Sequence, residues 1–177
     1  MGAIGALNAV LKLYPDEPWY GFIADDEVLL ADSPKDWDLR LIERAGRWDI
    51  AHGWEDWHSG TRCQGYVVLG GDLVRAVGFL GVPSCFHNFG FDCAWEWLAA
   101  NPAFGGGGCC RIHLVPEVRV SHKHHKLGKS DNDACYQLAD SKFDGDRELF
   151  WSWVKHELPV IAKRVKMLRS DGKVLGS

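Results

Sequence analysis

An α+β fold, with a small mixed or antiparallel sheet covered by three to five helices, is the architecture that the sequence predicts. Two patterns carry this prediction. The segment 110–120 has the alternation typical of a strand, and the segment 146–169 keeps the 3.6-residue period of an amphipathic C-terminal helix. The chain has 177 residues, 46% of them hydrophobic, so we expect a single globular domain over residues 1–177.

Helical signals recur along the whole chain. The predicted helices cover residues 3–13, 35–45, 73–80, 91–100, 131–140 and 146–169. Ser33 and Pro34 supply the N-cap and first-turn signals for the second helix, Asp72 for the third and Asp131 for the fifth. Pro159 lies inside the last segment and should kink that helix or restart it.

Strand signals are shorter. Residues 19–31 predict strand and turn pieces, and the β-rich run Gln64–Leu69 predicts a short strand bounded by glycines. From Cys110 to Val120 apolar and polar residues alternate, but the alternation changes phase at Pro116. Since proline cannot donate a hydrogen bond to a neighbouring strand, we expect an edge strand or a bulge there.

Charge and cysteine content narrow the functional classes. The net charge of −4 gives no global nucleic-acid signature, but residues 15–57 carry twelve acids against four bases, whereas residues 111–129 are basic and rich in histidine. The six cysteines show no disulfide framework, and no signal peptide is recognisable, so we expect a cytoplasmic protein with reduced thiols. No apolar run approaches the roughly 20 residues of a membrane span, so no membrane partner is expected.

The run from Ser121 to Ser130 holds the densest set of groups suited to chemistry. His122 and His124 are two residues apart at the end of the predicted strand, so both side chains should point to one side, as acid and base or as two ligands of one metal ion. Zinc or another divalent metal would need further ligands, for which Asp131 and Asp133 are near in sequence. The groups predicted to bind a phosphate are Lys123, Lys126, Lys129 and Ser130.

Other patterns suggest alternative sites. Cys93 follows Asp92 at a predicted helix start, where the helix dipole would favour a nucleophilic thiolate. Glu55 and His58 have the spacing of half a di-iron site if they lie on a helix. A set of cysteines and histidines between residues 85 and 113 lacks the paired spacing that marks a zinc site.

Three functions follow as hypotheses. The first is a small soluble hydrolase-type enzyme with a histidine-based, metal-assisted or metal-free site, acting on a phosphate-bearing small molecule or nucleic acid. The second is a non-catalytic partner-binding protein, an inhibitor or assembly component, whose aromatic and acidic N-terminal face binds a protein partner or forms a homo-oligomer. The third is a hydrolase with Cys93 as nucleophile.

Overall fold

The sheet at the centre of the fold has five strands. The computed structural model describes residues 2–63, 66–87, 89–99 and 108–171. The strands are β1 (Trp19–Phe22), β2 (Glu27–Leu29), β3 (Ile50–Glu55), β4 (Val67–Gly70) and β5 (Ile112–His122). Their spatial order is β1-β4-β3-β5-β2, and only the β3–β5 pair is parallel. The α+β prediction is confirmed, and the sheet is mixed.

Six α-helices accompany the sheet in the described part of the chain. They are α1 (Ala3–Leu13), α2 (Trp37–Ala45), α3 (Gly71–Val77), α4 (Asp92–Leu98), α5 (Ala134–His156) and α6 (Leu158–Ser170). Most of the predicted segment 131–140 and the first part of the predicted segment 146–169 belong to one helix, α5. Pro159 lies at the start of α6. Of the two outcomes expected for this proline, a kink or a restart of the helix, the structure has the restart.

The two faces of the sheet carry different cores. Val67 and Leu69 of β4 face the larger core, which they share with α1, α3, α4, α5 and α6. Val68 faces the opposite way and packs with Leu41 of α2. This alternation along β4 is the two-residue period of a strand covered by helices on both sides.

The bulge predicted at Pro116 is confirmed. In the parallel pairing of β3 with β5, Gly53 lies opposite Val115 but the next residue, Trp54, lies opposite Arg119. Three residues of β5, beginning at Pro116, are therefore left out of the register. The strand is not at the edge of the sheet, since β2 pairs with its last residues.

Several predicted helix starts were wrong, because the polar side chains bind elsewhere. The Ser33 hydroxyl donates to the Arg119 carbonyl oxygen (2.9 Å) and accepts from the Arg119 amide (2.8 Å). It therefore links the segment before α2 to β5. Asp72 lies within α3 and accepts hydrogen bonds from Arg47 and Arg75. Asp133, not Asp131, caps α5.

Strand β3 was missed by the sequence reasoning. Five of its six residues are buried, since α2 covers one face and the main core the other, so the polar–apolar alternation is absent. The glycine pair where β4 meets α3 marks a close backbone contact: a Cβ at Gly71 would collide with the carbonyl oxygen of Glu17. Strand β4 therefore passes directly into α3 beside the segment that precedes β1.

Candidate histidine site

A cluster of rings forms where β5 ends, next to β2 and the first turn of α5. This histidine cluster consists of His58, His122, His124, His125, Trp57 and Tyr136. His122 is the last residue of β5 and lies opposite Glu27 of β2. His124 and His125 follow at a short 3-10 turn, His125–Leu127, which ends at Gly128 in a left-handed conformation (φ 68°). The turn keeps all three histidines close to the sheet.

Asp26 holds His122 and Tyr136 together. The His122 Nε2 atom lies 3.2 Å from Asp26 Oδ2, and the Tyr136 hydroxyl donates to the same oxygen at 2.8 Å. Only 8% of His122 is exposed. Its other ring nitrogen, Nδ1, is buried without a hydrogen-bond partner in the described part of the chain. One carboxylate thus joins the loop before β2, the end of β5 and α5.

The protonation states follow from this arrangement. Burial works against charge on both groups, but the hydrogen bonds from His122 and Tyr136 lower the pKa of Asp26 to about 2. For His122, burial is likewise outweighed, by the hydrogen bond with Asp26 and by the charges of Asp26, Glu27 and Glu55, so its pKa is raised. Burial and the bond to Asp26 raise the pKa of Tyr136 to about 12. His122 therefore favours the imidazolium form.

His124 has the opposite tendency. Burial and the neighbouring charge of His125 lower its pKa, so the neutral imidazole is favoured. The His124 Nδ1 atom accepts a hydrogen bond from the Lys126 backbone amide (3.2 Å), which leaves the protonated nitrogen of the neutral ring at Nε2. The His122 and His124 ring centroids are 5.5 Å apart. Two histidines with opposite pKa shifts are thus in direct contact.

Trp57 packs the cluster together. Its ring centroid lies 4.9 Å from that of His58, 5.1 Å from His122 and 4.7 Å from His124. On the other side, Tyr136 lies 4.7 Å from His124 and 4.3 Å from His125. Such aromatic contacts restrict the rotamers of the histidine rings, so the relative geometry of His122 and His124 is fixed from two sides.

Two acidic residues, Glu55 at the end of β3 and Asp56 directly after it, position Trp57 and the end of β5. Glu55 is fully buried, and its carboxylate accepts from the backbone amides of Trp57 and His58, both at 2.6 Å. Asp56 accepts from the His122 amide (2.9 Å). Glu55 and His58 do not lie on a helix, so their spacing in sequence does not form half of a di-iron site. The sequence reasoning missed Asp26, Trp57 and Asp56 as parts of the site; the acidic runs 25–27 and 55–56 were their only signal.

The predicted phosphate-binding residues surround the cluster at the surface. Lys129 Nζ lies 2.7 Å from Asp56 Oδ2, and Lys126 Nζ lies 3.2 Å from Asp140 Oδ1. Lys123 is exposed, and its backbone amide donates to the Asp26 carbonyl oxygen (2.6 Å). Ser130 is exposed beside Tyr136, with which it shares a hydrogen bond. The lysines are therefore near the histidines, but two of them are already paired with acids.

The metal hypothesis gains no support from the geometry. Asp133 Oδ1 accepts from the amides of Cys135 (2.8 Å) and Tyr136 (3.1 Å) as the cap of α5, and Asp131 is exposed. Within residues 2–63, 66–87, 89–99 and 108–171, no three His, Cys, Asp or Glu side chains are grouped so as to hold a metal ion. Zinc binding by His122, His124, Asp131 and Asp133 stays a prediction.

Cys93 lies in the first turn of α4. The Arg62 guanidinium donates to its sulfur (3.3 Å) and also binds Glu96 (2.8 Å). Burial, followed by the nearby Asp92 carboxylate, raises the pKa of Cys93 well above its usual value. Since the thiolate is the nucleophile, this environment works against the role expected for Cys93.

Two surface grooves lie elsewhere. One, of about 640 Å³, is lined mainly by charged side chains of α2 and β5, among them Arg40, Glu43 and Glu117. The other, of about 190 Å³, is apolar and lies between β1, β4 and α2. Neither of these two grooves is lined by a residue of the histidine cluster.

No family model, curated protein or solved structure matches this chain. Among the residues that the structure describes, no helix has both the length and the apolar character that crossing a lipid bilayer requires.

Proposed function

We propose that the histidine cluster is the active site of a hydrolase-type enzyme that works without a metal ion and cleaves a phosphate ester or anhydride. The observation that carries the proposal is the fixed contact between His122 and His124, held by Asp26, Trp57 and Tyr136. Paired titratable groups whose environments drive their pKa values apart are a recurring pattern in acid–base catalysis.

His124 is the general base in this proposal. Its lowered pKa keeps the imidazole neutral near pH 7, so it can take a proton from an attacking water molecule. As the new phosphorus–oxygen bond forms, that proton moves to the unprotonated nitrogen of the ring and the leaving oxygen departs with the electron pair of the broken bond. Because Nδ1 is held by the Lys126 amide in the resting protein, the ring must give up that contact when it accepts the proton.

His122 contributes positive charge. The raised pKa keeps it as an imidazolium next to His124, where it stabilises the negative charge that develops on the phosphoryl oxygens. Its carboxylate partner, Asp26, fixes both the charge and the ring orientation. His122 therefore acts mainly through electrostatics, since 90% of its side chain is removed from solvent.

The surrounding lysines favour a phosphate-bearing substrate, either a small molecule or a nucleic acid. Lys126 and Lys129 are paired with Asp140 and Asp56, but these are partly exposed pairs and are worth roughly 0–1 kcal/mol each. An incoming phosphate can displace such partners at small cost. Lys123 and Ser130 are exposed and add a charge and a hydroxyl donor.

The test is hydrolysis of 4-nitrophenyl phosphate, bis(4-nitrophenyl) phosphate and a short single-stranded oligonucleotide by the metal-depleted protein. We expect His124→Ala to lower the rate by roughly 10²–10⁴-fold, which is the usual contribution of a general base. His156→Ala, which removes an exposed histidine at the end of α5, is the matched control and should leave the rate unchanged.

If none of the three substrates is turned over faster by the unmodified protein than by the His124→Ala variant, the proposal is wrong. Activity that returns only when zinc is added would instead favour the metal-assisted version with His122 and His124 as ligands.

We place the reaction in the cytoplasm, because all six cysteines are free thiols and four of them are buried, which suits a reducing compartment.

A further inference from the structure

Strand β1 is one outer edge of the sheet. In the described part of the chain it pairs only with β4, from Trp19↔Gly70 to Phe22↔Val67. Edge strands expose backbone N–H and C=O groups and are usually protected by lysine, proline or inward-pointing charges. The four residues of β1 (Trp-Tyr-Gly-Phe) include none of these. Within the described ranges no strand pairs with the outer side of β1, which leaves that edge for another extended chain.

An apolar groove runs beside this edge, on the α2 face of the sheet. Trp19 (43% exposed) and Ile23 (50% exposed) form its outer side, while the packed rings of Trp37 and Tyr66 (centroids 4.8 Å apart) form part of its wall. Its volume of about 190 Å³ lies below the roughly 300–1,000 Å³ of small-molecule sites. The groove therefore suits one or two apolar side chains of a larger partner.

Gly21 leaves the groove open at the strand. A Cβ atom built on Gly21 would meet no other atom within 4 Å, and Gly21 itself lines the groove. Tyr20 and Phe22, its neighbours in β1, pack with the main core, and Phe22 also lines the groove. A side chain from a strand paired to β1 can therefore lie over Gly21 without disturbing the core.

The charges around the groove indicate what kind of partner fits. Asp16 and Glu17 precede β1, Asp25 follows it, and Asp38 lines the groove. All four are exposed, and none forms an ion pair with another residue of the described ranges. A partner with lysine or arginine complements this rim, whereas a second copy of the chain would bring the same four acids.

We propose that the β1 edge and its apolar groove bind an extended, basic segment of a partner protein. The segment adds as a further strand to the sheet through backbone hydrogen bonds, with apolar side chains in the groove and basic side chains facing the acidic rim. This is the β-augmentation mode of peptide recognition, in which backbone bonds give affinity and alternate side chains give specificity. It is independent of the histidine cluster.

The test uses a short fluorescent peptide in which Lys alternates with Val and Leu, titrated at low and moderate salt. We expect binding that weakens as salt rises, because exposed charges are screened. Gly21→Val places a branched side chain on the groove side of β1, where an added Cβ meets no other atom within 4 Å, and should weaken binding by roughly tenfold or more, which is the loss of about 1.4 kcal/mol. Gly145→Ala, at another exposed glycine where an added Cβ meets nothing within 4 Å, is the control and should bind normally.

Two further probes identify the mode of binding. Two further peptides have the same side chains but carry N-methyl groups on every second backbone amide, one on the odd and one on the even positions. Each has lost half of the N–H donors that a paired strand uses, so we expect at least one of the two to bind poorly. A peptide with Glu in place of Lys should not bind. Absence of binding by the Lys peptide at low salt, binding that Gly21→Val leaves intact, or a homodimer that Gly21→Val abolishes would each overturn the proposal.

Discussion

Asp26 is the residue on which the histidine site depends most. One carboxylate oxygen serves both His122 and Tyr136, which come from different elements. Asp26 is only partly buried, yet its two donors outweigh the cost of burying its charge. Removing the charge while keeping the shape should therefore change both the protonation of His122 and the stability of the fold.

Asp26→Asn should lower the pKa of His122, because burial then acts on the imidazolium without a carboxylate in direct contact. The pKa is measured by NMR titration of the histidine C2 protons. Asp25→Asn removes the neighbouring exposed carboxylate and is the control, with little change expected. An unchanged His122 pKa in Asp26→Asn would show that Glu27 and Glu55 hold the charge instead.

The shifted pKa values of His122 and Asp26 also make the stability of the fold depend on pH. The pKa of His122 is raised above its ordinary 6.5, so its contribution is fully present below about pH 6.5 and is lost as pH rises through the raised value. The pKa of Asp26 is lowered from 3.8 to about 2, so its contribution is present above about pH 4 and is lost as pH falls towards 2. Between these limits Asp26→Asn should cost about 2 kcal/mol in chemical denaturation, as expected for a hydrogen bond to a charged group.

At the level of elements, Trp153 joins α5 to the main core. It is 1% exposed, and its ring lies near those of Phe79 (6.0 Å) and Phe150 (5.8 Å). Its indole Nε1 is buried without a partner in the described residues. The amphipathic pattern 146–169 anticipated this burial, together with that of Leu158, Ile161 and Val165.

Trp153→Ala should lower the free energy of unfolding by roughly 3–5 kcal/mol, because it leaves a large cavity. Trp153→Phe should cost clearly less, since it keeps most of the ring and removes the unpaired N–H. Trp151→Ala, in the same helix but 50% exposed, is the control and should cost about 1 kcal/mol or less. Equal effects of the two alanine variants in urea denaturation would mean that α5 does not anchor through Trp153.

At the scale of the whole molecule, the acidic N-terminal third and the basic region around residues 111–129 are partly paired. Lys129 with Asp56 and Arg119 with Asp32 (2.6 Å) join the two regions. These pairs are exposed to different degrees, and pairs of this kind contribute little to stability. The basic region can therefore exchange its internal partners for an anionic ligand.

Replacing Lys123, Lys126 and Lys129 with alanine should leave the thermal unfolding of the protein nearly unchanged but weaken its binding of nucleotides and oligonucleotides. The loss should be larger at low salt, because the Debye length is about 10 Å at 0.1 M ionic strength and shorter above it. Replacing Lys155, Lys163 and Lys166, which are exposed on α5 and α6, gives the same change in net charge and serves as the control. Equal weakening by both triple variants would show that only net charge matters.

The sequence by itself determined the features that depend on neighbouring residues. The helical period predicted α1, α2 and the burial of α5 and α6, and the proline at 116 predicted the bulge in β5. The spacing of His122 and His124 predicted neighbouring side chains on a continuing strand, but β5 ends at His122, and the turn that follows brings the His124 ring to 5.5 Å from that of His122. Each of these predictions needed only the geometry of one segment.

Tertiary structure alone decided what surrounds the two histidines. Asp26 and Tyr136 are 110 residues apart, and Asp26 and His122 are 96 apart, so their contacts depend on the pairing of β2 with β5 and on the docking of α5. The central place of β3, and with it the position of Glu55 and Trp57, had no local signal because both faces of that strand are buried. Register and strand order are set by the packing of the whole sheet, and no short pattern encodes them.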